Sequence, residues 1–214
     1  MIGVIDYRAG NGPSVLNALH ALKIKARLVS TPEALRSVKG IILPGVGSAR
    51  ATMDSLQELG LIPALEEKVL GGKTPFLGIC IGMQILMEYS AEGDTPCLGW
   101  LKGKVERFDG AVRIPQMGWN EVTFRRRDPV LAGLPEKEFF YFVNSYYVCP
   151  EAKEIVLATT HYGREFCSML AWGPIYATQF HAEKSGVAGL QLLKNFALLA
   201  EGEHHADETS DCLF

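Results

Sequence analysis

Three short apolar runs punctuate the first eighty residues, Ile2-Gly3-Val4-Ile5, Gly40-Ile41-Ile42-Leu43 and Pro75-Phe76-Leu77-Gly78-Ile79, and Ala26–Val29, with Arg27 inside it, reads as a further strand. Continuous runs of this length, without polar alternation, are the pattern of strands buried on both faces of a parallel sheet. Helical patterning fills the gaps between them. Residues 13–22 put Val15, Leu19 and Leu22 on one face, and Ser30-Thr31-Pro32 supplies a capping hydroxyl followed by a proline suited to a first turn. Residues 49–70 read as helix, which Gly71-Gly72 stops. Four βα units in succession predict an α/β fold, a mostly parallel open sheet with helices on both faces.

The pattern changes in the second half. Residues 104–108, 122–124, 139–143, 155–160 and 166–172 read as strands with little helix between them, which predicts an antiparallel extension of the sheet. A last strand, Ile175-Tyr176-Ala177-Thr178-Gln179, precedes a helix whose Leu190, Leu192, Leu193, Phe196, Ala197 and Leu199 form a broad apolar face. No internal repeat or linker is visible.

Composition narrows the class. A chain of 214 residues with 48% hydrophobic content is expected to form one domain, over residues 1–200, and to bury ~70% of its unfolded surface. Residues 201–214 hold five of the 24 acidic groups and none of the 21 basic ones, and they read as a disordered acidic tail. The remainder is close to neutral, so no nucleic-acid field is implied. No run approaches ~18 apolar residues, and Met1 leads straight into a strand, so a soluble, cytoplasmic protein is expected. Five cysteines without paired spacing indicate neither a disulfide framework nor a metal site, and no cofactor is called for.

The candidate chemistry centres on Cys80, in Gly78-Ile79-Cys80-Ile81-Gly82. Glycines two positions away on each side suit a sharp strand-to-helix turn, with Met83 to Met87 continuing as helix. A cysteine at a helix N-terminus is placed where negative sulfur is favoured. The plain alternative is a small buried hydrophobe. Against it stands Gln179-Phe180-His181-Ala182-Glu183, where His181 and Glu183, two positions apart in extended chain, would share a face and let the carboxylate orient the imidazole. The other histidines are less well placed: His20 lies in an amphipathic helix, His161 in a turn, and His204 and His205 in the tail. A third element, Pro44-Gly45-Val46-Gly47-Ser48, follows a strand and could aim an N–H at an oxyanion, with Ile81 N–H as second donor. An ordinary βα turn would look the same in isolation. A dinucleotide loop is excluded, because Arg50 and Val15 stand where the required third glycine would be.

These motifs resemble class I glutamine amidotransferases, and several stretches are most similar to the branch that forms the glutaminase subunits of imidazole glycerol phosphate synthases. The stretches are Asp6-Tyr7 with Gly10-Asn11 and Ser14, Leu43 to Gly47, Gly78 to Gln84, Ile114-Pro115-Gln116-Met117-Gly118-Trp119-Asn120, Tyr141 to Tyr146, and Gln179 to Ser185. The resemblance implies a thioester mechanism, with Cys80 as nucleophile, His181 as base and later acid, and Glu183 as its orienter. It also implies oxyanion donors from Val46, Gly47 and Ile81, and glutamine binding by Gln84, Glu92, Ser145 and Tyr146. Met117, Trp119, Asn120 and Lys184 would face a separate (β/α)₈-barrel cyclase. Taken without the resemblance, Met117 and Trp119 read equally well as core and Lys184 as a solvated charge. Five positions depart from the family pattern. Arg8 replaces a glycine, Arg50 an aromatic, Gln116 and Asn144 each a histidine, and Ala182 a proline. A glutaminase of another synthase, or a catalytically silent module of the same fold, are the competing readings.

Overall fold

The computed structural model describes residues 1–8 and 11–202; of the tail expected over 201–214, Glu201 closes the last helix and Gly202 caps it, and the rest lies outside the described residues. The elements in chain order are β1 (Ile2–Ile5), α1 (Gly12–Ala21), β2 (Ala26–Val29), α2 (Pro32–Arg36), β3 (Gly40–Leu43), α3 (Ala49–Glu58), α4 (Leu61–Glu66), β4 (Phe76–Ile79) and α5 (Ile81–Gln84). They continue with β5 (Tyr89–Ser90), β6 (Thr95–Pro96), β7 (Gly103–Arg107), β8 (Gln116–Phe124), β9 (Lys137–Asn144), β10 (Tyr146–Pro150), β11 (Val156–Tyr162), β12 (Arg164–Trp172), β13 (Ile175–Thr178) and α6 (Gly186–Glu201).

The sheet runs β2-β1-β3-β4-β13-β12-β10-β7-β5-β6, with β11, β8 and β9 branching from β12. The pairs among β2, β1, β3, β4 and β13 are parallel, and β12 onward is largely antiparallel. Alternate side chains of the parallel strands feed two apolar layers. Val4, Ile42, Leu77 and Ile79 meet Val15 and Leu19 of α1 and Leu192, Leu193 and Phe196 of α6. Ile5, Ile41, Leu43 and Phe76 meet Leu35, Leu56, Leu61 and Leu65 from α2 to α4. Both faces of β1, β3 and β4 are therefore buried, which is why these runs carry no polar alternation, whereas β2, at the sheet edge, exposes Arg27 and Leu28.

Local signals in the first half are realised closely. Thr31 caps α2 by accepting the Ala34 N–H at 3.3 Å, with Pro32 in the first turn. Helix after Cys80 is shorter than expected, ending at Gln84. Ile85, Leu86 and Met87 are fully buried, and their carbonyls accept N–H groups from Leu98, Leu101 and Gly99 instead of from a further helical turn. The second half hides more. Strand β8 starts at Gln116, six residues before the expected 122, because Met117 and Trp119 point to solvent and invert the usual alternation. Strand β10 has no counterpart among the expected strands, and His161 lies within β11, paired with Glu165 across the turn at Gly163, rather than in the turn itself.

Phe180 anchors the segment that follows β13. Its ring stacks on Phe140 with centroids 4.1 Å apart and meets Phe142 edge-on at 5.8 Å, while the next residue's N–H donates to Tyr141 O at 2.9 Å. Phe180→Ala is expected to lower unfolding free energy by about 3–5 kcal/mol in denaturant titration; a loss below about 1 kcal/mol would show the stack to be dispensable.

Candidate active site

Cys80 occupies a left-handed backbone conformation, φ +54°, between the end of β4 and the start of α5. For a residue with a side chain this is strained, and strain of this kind persists only where the surroundings enforce it. Two glycines make the enforcement possible. A Cβ on Gly78 would come within 2.3 Å of Gly82 O, and one on Gly82 within 2.2 Å of Leu43 O, so the turn is backbone packed on backbone. The Cys80 N–H donates to Thr178 O at 2.7 Å, which ties the elbow to β13.

His181 follows β13 and is 2% exposed. Its Nδ1 lies 2.9 Å from Glu183 Oε1, and the ring lines the same cleft as Cys80. The expected pairing with Glu183 is present for a different reason, since the chain is not extended here. Ala182–Lys184 forms a 3₁₀ turn with His181 as its cap, and the turn folds the carboxylate back under the ring. Ala182 sits at the first position of that turn, where the family's proline would also fit. Gly189 lets α6 approach closely, since a Cβ there would fall 1.9 Å from Ala182 O. Burial alone pulls the His181 pKa down, but hydrogen bonds and charge from Cys80 and Glu183 outweigh it and raise the value to about 10.

The ends of β3, β4 and β13, three neighbouring parallel strands, open into one cleft of about 300 Å³. Open α/β sheets place ligands at this carboxyl edge. Gly45, Val46, Gly47, Cys80, Ile81, Asn144, Ser145, Tyr146 and His181 line it together, and Gly45 packs directly on Ile81. All four residues expected to bind substrate, Gln84, Glu92, Ser145 and Tyr146, line it, as does Lys184. Gly47 has φ +106° and open space around its Cα, so this stretch of loop is free on its outer side. Ile81 heads α5, where first-turn N–H groups lack helical acceptors. Glu92 Oε2 accepts the Ala49 N–H at 2.8 Å, and Arg50 donates to Gly93 O at 3.3 Å, so both latch the start of α3 to the 92–94 turn.

The four residues expected to face a partner divide. Met117 and Trp119 are 66% and 56% exposed, which removes the core reading. They share an outward face with Phe139, Tyr141 and Val143 of β9, and Val143 also lines the cleft. Lys184 is exposed at the cleft. Asn120, by contrast, is committed internally. Its Nδ2 donates to His161 O at 3.0 Å and its Oδ1 accepts the Glu121 N–H at 2.8 Å.

Three neighbours of the site are not apparent from sequence. Asn11 donates to Glu183 Oε1 at 2.9 Å, holding the same oxygen as the His181 ring. Gln179 donates to Cys80 Sγ at 3.5 Å. The period of two that groups residues along an extended strand would have placed Gln179 with His181. Asn144 is the register partner of Gln116, so two of the departures from the family pattern form one buried cross-strand pair. Arg8 adopts φ +69°, a conformation in which the family's glycine carries no strain.

Comparison with known proteins agrees with this geometry. The glutamine amidotransferase class-I family profile matches residues 3–200. An imidazole glycerol phosphate synthase subunit HisH of Dehalococcoides mccartyi (strain 195) is 49% identical, over 95% of this chain and 99% of that protein. The HisH 1 subunit of Campylobacter jejuni is 45% identical, over 93% and 100%. Among solved structures, a glutamine amidotransferase superposes with TM-score 0.75 at 24% identity, covering 94% of this chain and 98% of that one. PurLQS from Thermotoga maritima gives 0.71 at 17%, covering 91% of this chain and 96% of the matched one. A profile that spans nearly the whole chain and relatives at almost half identity place it in one family: the chain belongs to the class-I glutamine amidotransferases.

Proposed function

We propose that this chain is the glutaminase subunit of an imidazole glycerol phosphate synthase. It hydrolyses glutamine to glutamate and ammonia through a cysteinyl thioester, and delivers the ammonia to a separate (β/α)₈-barrel cyclase in histidine biosynthesis. The observation that carries the reading is one cleft lined by Cys80 and His181, with Glu183 bonded to the ring from behind, whose lining continues through Val143 into the exposed Met117 and Trp119 face. The HisH relatives supply the choice of synthase. Among the described residues no helix is long and apolar enough to cross a membrane, and a cytoplasmic location suits a pathway of small soluble metabolites.

The raised His181 pKa sets the proton inventory. With a value near 10 the ring is an imidazolium at neutral pH, paired through Nδ1 with Glu183. Sulfur of Cys80 attacks the side-chain amide carbon, and charge gathers on the amide oxygen opposite the backbone N–H groups of the 44–48 loop and Ile81. His181 passes its proton to the amide nitrogen, the C–N bond breaks, and ammonia leaves a thioester. The now neutral ring takes a proton from water as that water attacks the thioester carbon, and the C–S bond breaks. Glutamate, the anionic sulfur and the imidazolium are regenerated. Glu183, held by Asn11 from one side, keeps the ring in the orientation both transfers need.

Ammonia that reaches bulk water is protonated and loses its nucleophilicity, so an acceptor sealed against the cleft mouth is favoured. An exposed aromatic and methionine face beside that mouth fits such a seal.

Cys80→Ala is expected to abolish glutamine hydrolysis in a complex with the barrel subunit while ammonia-dependent synthesis persists; loss of both activities would count against the assignment. Trp119→Ala is expected to weaken binding of the barrel at least tenfold by titration calorimetry. Wild-type affinity in that variant would move the interface elsewhere. In ¹⁵N-histidine NMR the His181 ring should stay protonated through pH 8 and lose its proton near pH 10, and a neutral ring at pH 7 would exclude the proton inventory above.

A further inference from the structure

Gln179 is fully buried and its amide is spent on two groups of the cleft. Nε2 faces Cys80 Sγ at 3.5 Å, and Oε1 faces Gln84 Nε2 at 3.1 Å. Gln84 Nε2 has a second acceptor, the main-chain oxygen of Tyr146 at 3.2 Å. A carbonyl oxygen can only accept, so the Tyr146 carbonyl obliges Gln84 to present its NH₂ end. That NH₂ in turn obliges Gln179 to present oxygen to Gln84, and therefore N–H to the sulfur. The sense of both amides thus follows from one backbone carbonyl, not from a choice between two equivalent flips.

This ordering has two chemical consequences. Cys80 Sγ has a fixed N–H donor on one side and Val143 O, an acceptor at 3.8 Å, on the other. A thiol can donate to the Val143 oxygen, whereas anionic sulfur is repelled by that oxygen and is favoured by the Gln179 N–H. Gln84 Oε1 is left buried with no partner, beside the cleft.

We propose that Gln179 is a positioning residue that acts through its neighbours, stabilising the attacking form of Cys80 and, as the second acceptor of Gln84 Nε2 beside the Tyr146 carbonyl, holding Gln84 in place for substrate. The second half of this statement rests on the glutaminase reading; the first rests only on the geometry around the sulfur.

Two isosteric changes test it in the full chain bound to its barrel partner. Gln179→Glu puts an oxygen, and charge, where the N–H donor was, and Gln179→Met removes both polar ends at similar volume. Each is expected to slow iodoacetamide alkylation of Cys80 at pH 7 by about 10- to 100-fold and to displace the rate profile to higher pH, with the Glu variant more affected. For glutamine hydrolysis, the Met variant is expected to raise KM as well as lower kcat, since Gln84 then keeps only one of its two acceptors. Gln179→Asn, which keeps the amide, should recover part of the alkylation rate. If the Glu variant does not fold, the Met variant decides alone. A wild-type alkylation profile in a folded Met variant overturns the proposal. Wild-type enzyme that turns over no glutamine, but whose alkylation profile moves in the variants, would instead overturn the glutaminase reading and leave the sulfur contact standing.

Discussion

Contact of main chain with main chain at the elbow is the constraint on which the site depends. The left-handed Cys80 backbone is reachable only because Gly78 and Gly82 leave no side chain between α5 and the ends of β3 and β4. Gly45 belongs to the same contact, since a Cβ there would fall 2.6 Å from Ile81 Cβ. The elbow and the loop after β3 therefore cannot move independently. Nucleophile and oxyanion wall are parts of one tightly packed junction.

The second catalytic half arrives by a different device. His181 is held from behind by the Phe180 stack against Phe140 and Phe142, and from below by the 3₁₀ turn that returns Glu183 to its ring. Asn11 reaches the same carboxylate from the start of α1. Aromatic packing fixes the chain's exit angle from β13, and hydrogen bonds then fix the imidazole plane. Rigid support of this kind suits a group that must pass one proton out and take another in without changing place.

Charge explains why so much polar surface is buried here. His181, Glu183, Gln84, Gln179 and Asn144 all lie inside the protein, and such groups are tolerated where they satisfy one another. Three of the buried side-chain atoms left without partners, Gln84 Oε1, Asn144 Oδ1 and Glu183 Oε2, belong to residues of this cluster.

Much of this could be read from the string of residues. Period and length of the apolar runs determined the parallel half, because strands buried on both faces leave an unambiguous mark. The glycine spacing around Cys80 determined the elbow, because only a missing Cβ satisfies it. The identity of His181 and Glu183 as a pair was also legible, although the physical cause proved to be a 3₁₀ turn and not an extended strand. What required the tertiary structure were contacts between segments remote in sequence. Trp119 and Met117 could be sorted from core only once β8 was paired with β9, and Asn120 proved to be engaged by β11. The sense of the Gln84 and Gln179 amides depends on a carbonyl of β10, a strand that carried no clear signal of its own. Local pattern determines local conformation, but which polar atom faces which is decided only when strands far apart in the chain become neighbours.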